Sequence, residues 1–199
     1  MFEQTNAICD QIMKMGTPCI DLIVYQNGKC VLRHMDGYAD PEKKTPMTGK
    51  EKYHIYSCSK LITCVAAMQL WEQGKFSLED KLADYLPAFG EMYVKTGDGV
   101  RPAEKPIYIH QLFSMTAGFN YALWTPELRG WCKADGYRCE TIDFVNRLAK
   151  EPLEYEPGAL WQYSVAHDIL AALVEIWSGE NFEVYVQKNI LQPLGMNNT

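Results

Sequence analysis

A long apolar stretch at residues 61–71 constrains the fold more than any other feature of the sequence, because only Thr63 and Gln69 interrupt it. Its apolar residues would surround a helix on most sides, which is typical of a helix buried in the middle of a domain. Gly74 follows as a helix end. A second strongly apolar helical pattern covers residues 165–177 and stops at Ser178-Gly179. The sequence therefore predicts a largely helical domain with a buried helix inside it.

The first 50 residues have a different pattern. Residues 2–14 fit an amphipathic helix that ends at Gly16-Thr17-Pro18. Residues 19–25 and 29–38 are predicted as strands, and Asn27-Gly28 between them favours a hairpin because both turn residues tolerate positive φ. A two-stranded hairpin is marginal alone, so we expect it to need further strands.

The remaining patterns are mostly helical. They predict shorter helices at residues 78–85, 109–115, 142–150 and 182–190, and a loop at residues 97–106. No convincing strand follows residue 50. We therefore predict an α+β fold with two parts. Residues 1–50 hold the helix and hairpin of an incomplete antiparallel sheet, and residues 51–199 form a mostly helical domain.

Composition and charge narrow the function classes. The 199 residues are 47% hydrophobic with a net charge of −6, which suits a folded domain and argues against nucleic acid or an anionic membrane as partner. The polar and acidic start does not resemble a signal peptide, and no apolar run approaches the roughly 20 residues of a membrane span. We expect a cytoplasmic protein that acts on a small molecule.

The cysteines do not indicate a metal site. Their number is odd, their spacing is irregular and they form no Cys-x-x-Cys pair, so we expect no zinc, no other metal and no cofactor. They are predicted to be reduced thiols packed as small hydrophobic side chains. The seven are Cys9, Cys19, Cys30, Cys58, Cys64, Cys132 and Cys139.

Ser57 and Lys60 are the first candidate catalytic pair, at the start of the predicted buried helix. A serine hydroxyl needs a base within hydrogen-bond reach, and positions three apart lie on the same side of a helix. Burial would lower the pKa of Lys60 and allow it to accept a proton. The helix N-terminus would favour the oxyanion that forms when a carbonyl is attacked.

A purely structural interpretation of this pair is also open. Ser-x-x-Lys is a common string, Ser57 would serve as an N-cap, and Lys60 would be a solvated helix residue. The apolar helix behind Lys60 favours a functional role, because an unpartnered lysine is unfavourable there. Cys58 lies next to Ser57, but it lacks a base at the right helical spacing and is a weaker candidate nucleophile.

Several segments along the chain are informative when taken in order. They are Tyr56-Ser57-Cys58-Ser59-Lys60, residues 72–82 with Tyr85-Leu86-Pro87, residues 106–119, Glu156-Pro157-Gly158, Trp161-Gln162-Tyr163-Ser164, Ser178-Gly179 and Pro193-Leu194-Gly195-Met196. In this order they resemble the serine β-lactamase, penicillin-binding protein and family VIII esterase group. The resemblance covers nearly the whole chain and implies a β-lactamase/transpeptidase-like fold.

The resemblance implies a third catalytic residue. The group's Tyr-x-Asn or Tyr-Ser-x motif corresponds to Tyr163-Ser164-Val165. Tyr163 would be a general base and acid working with Lys60, although by itself it would pass for a half-buried core tyrosine. Val165 stands where lactam-binding members have an asparagine that contacts substrate, so we expect Val165 at the substrate and an ester in preference to a β-lactam.

In the family, a third motif, Lys/His-Thr-Gly or a Gly-rich equivalent on a late strand, follows the Pro-Leu-Gly-Met segment, and the sequence stops there at Thr199. Lys95-Thr96-Gly97 spells that motif but precedes Tyr163 in a predicted loop, so we do not assign it the role. The later strands would supply one oxyanion donor. We therefore expect 199 residues alone to be a poor catalyst, with an exposed sheet edge open to self-association.

Two functions remain open from the sequence. The first is a serine hydrolase that forms an acyl-enzyme on a small ester or amide, with Ser57, Lys60 and Tyr163 as its catalytic residues. The second is a truncated or degenerate member of the family that serves as a binding or scaffold module without catalysis. Val165 and the absence of the third motif favour the second.

Overall fold

The structure is a computed structural model that describes residues 2–121, 125–136 and 138–199. It contains two compact units, Met1–His54 and Ile55–Thr199. The first unit holds an antiparallel sheet with one helix, and the second is mostly helical.

The N-terminal unit consists of helix α1 (Glu3–Lys14) and strands β1 (Cys19–Gln26), β2 (Lys29–Asp40) and β3 (Thr45–Pro46). The strands pair in the order β1-β2-β3, and both pairings are antiparallel. The predicted hairpin is confirmed, because Asn27 and Gly28 have φ of 50° and 74° and allow a tight reversal between β1 and β2. Among the described residues, β1 has no second strand neighbour.

Among the described residues, the helical unit is built from α2 (Ser59–Glu72) and five further α-helices joined by turns and one hairpin. Within the described residues, none of the helices is long and apolar enough to span a membrane. The other elements are β4 (Tyr93–Thr96), β5 (Gly99–Pro102), α3 (Ile109–Phe113), α4 (Pro126–Ala134), α5 (Thr141–Leu148), α6 (Ala166–Ser178) and α7 (Phe182–Val186), which continues into a π-helical turn at Gln187–Leu191.

Helices α2 and α6 pack against each other at the centre of this unit. Ala66 and Ala67 on α2 are fully buried, and these small side chains let the two helices approach closely. At the other end of α6, the ring of Trp177 stacks on Phe76 with centroids 3.8 Å apart. Gly179 ends α6 in the left-handed conformation, with φ of 71°, as predicted.

The prediction that α2 is buried on most sides was wrong. Leu61, Val65 and Trp71 are 72%, 40% and 41% exposed, whereas Ala66 and Leu70 are buried. A run of apolar residues shows that a helix is apolar all round, but packing decides which faces are covered. In this chain, the covered face of α2 is the one that meets α6.

The structure differs from the prediction in three segments. Residues 97–106 are not simply a loop, because β4 and β5 form a two-stranded hairpin in which Lys95 pairs with Val100. Residues 78–85 contain only a 3₁₀ turn at Leu82–Asp84 in place of a helix. Helix α4 was not predicted at all, although Thr125 accepts a hydrogen bond from the backbone N–H of Leu128 and caps it.

Two segments of the helical unit run side by side and are tied through their backbones. Residues 115–118 accept hydrogen bonds from residues 154–162: Glu154 to Gly118 (2.8 Å), Gly158 to Thr116 (2.8 Å) and Gln162 to Met115 (3.0 Å). These bonds set the position of the chain directly before α6. Tyr163 lies there, so this tie determines where its side chain is placed.

We expect Gly118→Ala to destabilise the helical unit by roughly 2–3 kcal/mol. Gly118 has φ of +94°, and a Cβ atom there would lie 2.5 Å from the carbonyl oxygen of Tyr155. The added methyl group would push apart the two segments tied by the Glu154–Gly118 bond. Urea denaturation followed by circular dichroism measures the change in unfolding free energy.

Gly130→Ala is the matched control. Gly130 lies within α4 at a negative φ, and a Cβ there would have no atom within 4 Å. Alanine favours a helix over glycine, so this variant should be more stable by about 0.5–1 kcal/mol. Equal effects of the two substitutions would contradict the packing argument for Gly118.

Candidate active site

Ser57 lies in a 3₁₀ turn, Tyr56–Cys58, that leads directly into α2. Tyr56 has φ of 44°, a left-handed conformation that is uncommon for a bulky residue and frequent at functional sites. Two hydrogen bonds hold the turn: Cys58 N–H to the carbonyl of Ile55 (3.0 Å) and Ser59 Oγ to the carbonyl of Tyr56 (2.6 Å). The hydroxyl of Ser57 is therefore presented at the N-terminal end of a long helix, where free N–H groups favour negative charge.

Lys60 lies one helical turn beyond Ser57. Its Nζ donates to Ser57 Oγ at 3.4 Å, as the spacing of three residues predicts. The ammonium group also lies 5.1 Å from the ring centre of Tyr163 and 5.4 Å from that of Tyr121, within the range of a cation–π interaction. Lys60 therefore interacts with a hydroxyl and two aromatic rings, so it is not simply a helix residue whose amine is surrounded by solvent.

Tyr163 reaches the same place from the segment before α6. Interactions with Ser57 and Lys60 lower the pKa of its hydroxyl, and its ring lies beside the ammonium of Lys60. The side chain is 41% exposed, so it borders solvent and is not a core tyrosine. The structure therefore brings together Ser57, Lys60 and Tyr163, although Tyr163 lies more than 100 positions after the other two in the sequence.

Tyr121 is a fourth member of the cluster that the sequence did not reveal. Its ring centre lies 5.4 Å from that of Tyr163, and its hydroxyl is one of the groups that raise the pKa of Lys60. It follows residues 106–119 of the family resemblance by two positions. The backbone hydrogen bonds between residues 115–118 and 154–162 hold together the two segments that lead to Tyr121 and Tyr163.

The pKa of Lys60 shifts in the direction opposite to the prediction. Burial favours a lower pKa, but the hydrogen bonds to the hydroxyls of Tyr121 and Tyr163 outweigh it, and the pKa is raised. The sequence could show that the helix is apolar but not that two distant phenols converge on the amine. The site therefore favours the charged ammonium form of Lys60, which can donate a hydrogen bond to Ser57.

The pKa of Tyr163 is lowered. The hydrogen bond from Ser57 favours its ionised form, and Lys60 adds a hydrogen bond and a positive charge, which together exceed the opposing effect of burial. Burial instead raises the pKa of the neighbouring Tyr121. Of the two phenols, Tyr163 is therefore the one that can accept a proton from Ser57.

The other residues singled out from the sequence have other surroundings. Val165 is 6% exposed and packs in the hydrophobic core at the start of α6, so a contact between Val165 and substrate remains a prediction. Lys95 forms an ion pair with Glu154 at 2.5 Å. Cys58 and Cys30 are exposed, so the prediction that all seven cysteines are packed as core side chains was wrong for these two.

The site also has a neutral, buried neighbour. His167 is 8% exposed, and burial lowers its pKa. Its Nε2 lies 3.4 Å from the carbonyl oxygen of Phe113, so it is oriented toward the backbone. Within the part of the chain that the structure describes, no three His, Cys, Asp or Glu side chains are grouped as they would be around a metal ion.

Comparison with known proteins identifies the family. The family model named Beta-lactamase matches residues 5–199. The chain belongs to the β-lactamase family. Its resemblance to the serine β-lactamase and penicillin-binding protein superfamily is thereby confirmed. The α+β, β-lactamase/transpeptidase-like fold is confirmed by the solved structures that it matches.

Three of the proteins that this chain is similar to have names from ester and acyl-transfer chemistry. The esterase EstB of Burkholderia gladioli is 32% identical over 182 residues, which cover 87% of this chain and 44% of EstB. A methylbutanoyltransferase of Penicillium citrinum, mlcH, is 32% identical over 78% of this chain and 38% of its own length. The structure of EstCE1, described as a hydrolase with promiscuous acyltransferase activity, has a TM-score of 0.76 and 32% identity over 96% of this chain and 50% of EstCE1. The chain thus spans about half the length of these proteins, or less.

Proposed function

We propose that this chain is a serine hydrolase that forms an acyl-enzyme on an ester or amide, with Ser57 as the nucleophile. The supporting observation is the convergence of three groups. Lys60 Nζ lies 3.4 Å from Ser57 Oγ and 5.1 Å from the ring centre of Tyr163, and interactions with both side chains lower the pKa of the Tyr163 hydroxyl. A nucleophile with a base in hydrogen-bond reach, and a third group that orients the base, is the arrangement that acyl transfer requires.

In the first step, the phenolate oxygen of Tyr163 accepts the proton of Ser57. Ser57 Oγ then attacks the carbonyl carbon of the substrate, and the carbonyl oxygen becomes an oxyanion. The N-terminal end of α2 favours this negative charge. When the tetrahedral intermediate collapses, Tyr163 returns the proton to the departing alcohol or amine, and the acyl group remains on Ser57.

In the second step, water takes the place of the departing group. Tyr163 accepts a proton from water, the resulting hydroxide attacks the acyl carbon, and the ester bond to Ser57 breaks. The proton passes from Tyr163 back to Ser57 Oγ, which restores the free enzyme. Lys60 remains an ammonium group throughout and stabilises the phenolate in both steps, consistent with its raised pKa.

The substrate is proposed to be an ester in preference to a β-lactam. Val165 has no hydrogen-bonding side chain and is largely buried, so it cannot replace an amide group that binds a polar substrate side chain. The names of EstB, mlcH and EstCE1 refer to esterase and acyl-transfer activities, which supports the same choice.

A fluorophosphonate probe tests the proposal on the 199-residue chain. Ser57 Oγ should displace fluoride from phosphorus and give a stable adduct that intact-mass spectrometry detects. We expect labelling of the unmodified chain, loss of labelling in Ser57→Ala, and labelling retained in Cys58→Ala. Circular dichroism must show that all three are folded. Folded chain without any adduct, or labelling lost only in Cys58→Ala, would refute the proposal; the first result would favour a non-catalytic scaffold.

A further inference from the structure

Two cysteines meet away from the residues of the candidate active site. Cys132 lies in the last turn of α4, and Cys139 lies two residues before α5 begins at Thr141. Their sulfur atoms are 3.6 Å apart. Because a disulfide bond is about 2.05 Å long, the two sulfurs need to approach by only about 1.5 Å to be joined.

The turn between α4 and α5 accounts for this approach. The backbone N–H of Gly136 donates to Lys133 (3.0 Å), and that of Arg138 donates to Asp135 (3.3 Å). Gly136 has φ of +63°, which lets the chain turn back on itself directly after α4. Cys139 is thereby returned to the side of α4 that carries Cys132.

The two thiols differ in access. Cys132 is 2% exposed, and burial raises its pKa. Cys139 is half-buried and lines an open surface cavity of about 590 Å³ together with Asp135, Arg138 and Asp143. A small molecule can therefore reach Cys139 first, while Cys132 is protected and lies directly behind it.

We propose that Cys132 and Cys139 form a redox-reactive dithiol site, which low-molecular-weight disulfides such as oxidised glutathione convert to an intramolecular disulfide. The thiolate of Cys139 attacks one sulfur of the oxidant, a mixed disulfide forms and one glutathione thiolate leaves. Cys132 loses its proton to solvent and its sulfur attacks Cys139 Sγ, expelling the second glutathione thiolate. Two protein thiols are oxidised, and one oxidised glutathione is reduced to two molecules of glutathione.

The other thiols provide an internal comparison. No other pair of cysteine sulfurs among the described residues lies within hydrogen-bond distance. Cys30 and Cys58 are exposed, so the same oxidant should leave them as mixed disulfides that carry glutathione. The site at Cys132 and Cys139 should instead lose two hydrogen atoms and carry no glutathione.

The experiment is oxidation of the folded 199-residue chain with oxidised glutathione, followed by N-ethylmaleimide and peptide mapping without reduction. We expect one internal link, Cys132 to Cys139, that dithiothreitol reverses. Cys132→Ser should stop the reaction at the first step, so that Cys139 accumulates about 10-fold more glutathione adduct than in the unmodified chain. Cys58→Ser should leave the internal link unchanged.

Two results would overturn the proposal. One is recovery of Cys132 and Cys139 as separate N-ethylmaleimide or glutathione adducts in folded protein. The other is equal glutathione adduct on Cys139 with and without Cys132. Circular dichroism of each variant distinguishes loss of the site from loss of the fold.

Discussion

Tyr163→Phe is expected to slow acylation of Ser57 by about 10²- to 10⁴-fold, the usual contribution of a positioned general base. The substitution keeps the aromatic ring near Lys60 and removes only the hydroxyl whose pKa Ser57 and Lys60 lower. Stopped-flow release of p-nitrophenol from p-nitrophenyl acetate, with protein in excess, measures acylation separately from turnover.

The pH dependence of this rate adds a second test of Tyr163. Its pKa is lowered from 10.0, so the reactive phenolate becomes more abundant as pH rises toward that pKa, and the acylation rate should rise with it. This rising limb should be absent in Tyr163→Phe. The control is Tyr93→Phe, which removes a hydroxyl from a half-exposed residue of β4 and should leave both rate and profile unchanged. An unaltered rate in Tyr163→Phe would exclude Tyr163 as the base.

Lys60→Met is expected to lower the acylation rate at pH 7 by about 10²- to 10³-fold, for a different reason. Methionine keeps much of the apolar stem but removes the charge and the hydrogen bond that lower the pKa of Tyr163. The phenolate would then form only at higher pH. The rising limb of the profile should therefore move to higher pH, and part of the lost rate should return there.

This recovery at high pH separates Lys60 from Tyr163. If Lys60 were itself the base, Lys60→Met would remain inactive at every pH and Tyr163→Phe would keep its rising limb. Lys75→Met is a suitable control, because Lys75 is exposed and follows the end of α2. It should have the rate and the pH profile of the unmodified chain.

Local patterns in the sequence predicted much of the fold. The hairpin at Asn27-Gly28 and the end of α6 at Gly179 each follow from one or two residues whose backbone preferences are strong. The spacing of Ser57 and Lys60 likewise follows from helix geometry, and the structure places their polar atoms 3.4 Å apart.

The features of the fold that the sequence could not predict depend on contacts between residues far apart in the chain. The hairpin of β4 and β5 has only four residues in each strand, and the residue after it, Ala103, donates a backbone hydrogen bond to Met92. Such short strands carry too little alternation to be distinguished from a loop. Which face of α2 is exposed depends on the elements that pack against the helix, and the composition of the helix does not specify those elements.

The candidate site shows the same limit. Tyr163 could be found only through the resemblance of its segment to a family motif, and Tyr121 lies two positions after residues 106–119, the nearest segment of that resemblance. Both tyrosines reach Lys60 because residues 115–118 and 154–162 are tied through their backbones. Burial of the helix lowers the pKa of Lys60, but the two phenols raise it by more, and their positions cannot be predicted from the helix alone.

The most direct test is to locate the acyl group itself. The folded 199-residue chain would be treated with p-nitrophenyl acetate, quenched in acid and mapped by tandem mass spectrometry. The hydroxyl that converges with the amine of Lys60 and the phenol of Tyr163 should carry the acetyl group, which places it on Ser57. Acetyl found instead on Cys58 or Lys60, or none on Ser57 in folded protein, would contradict the account.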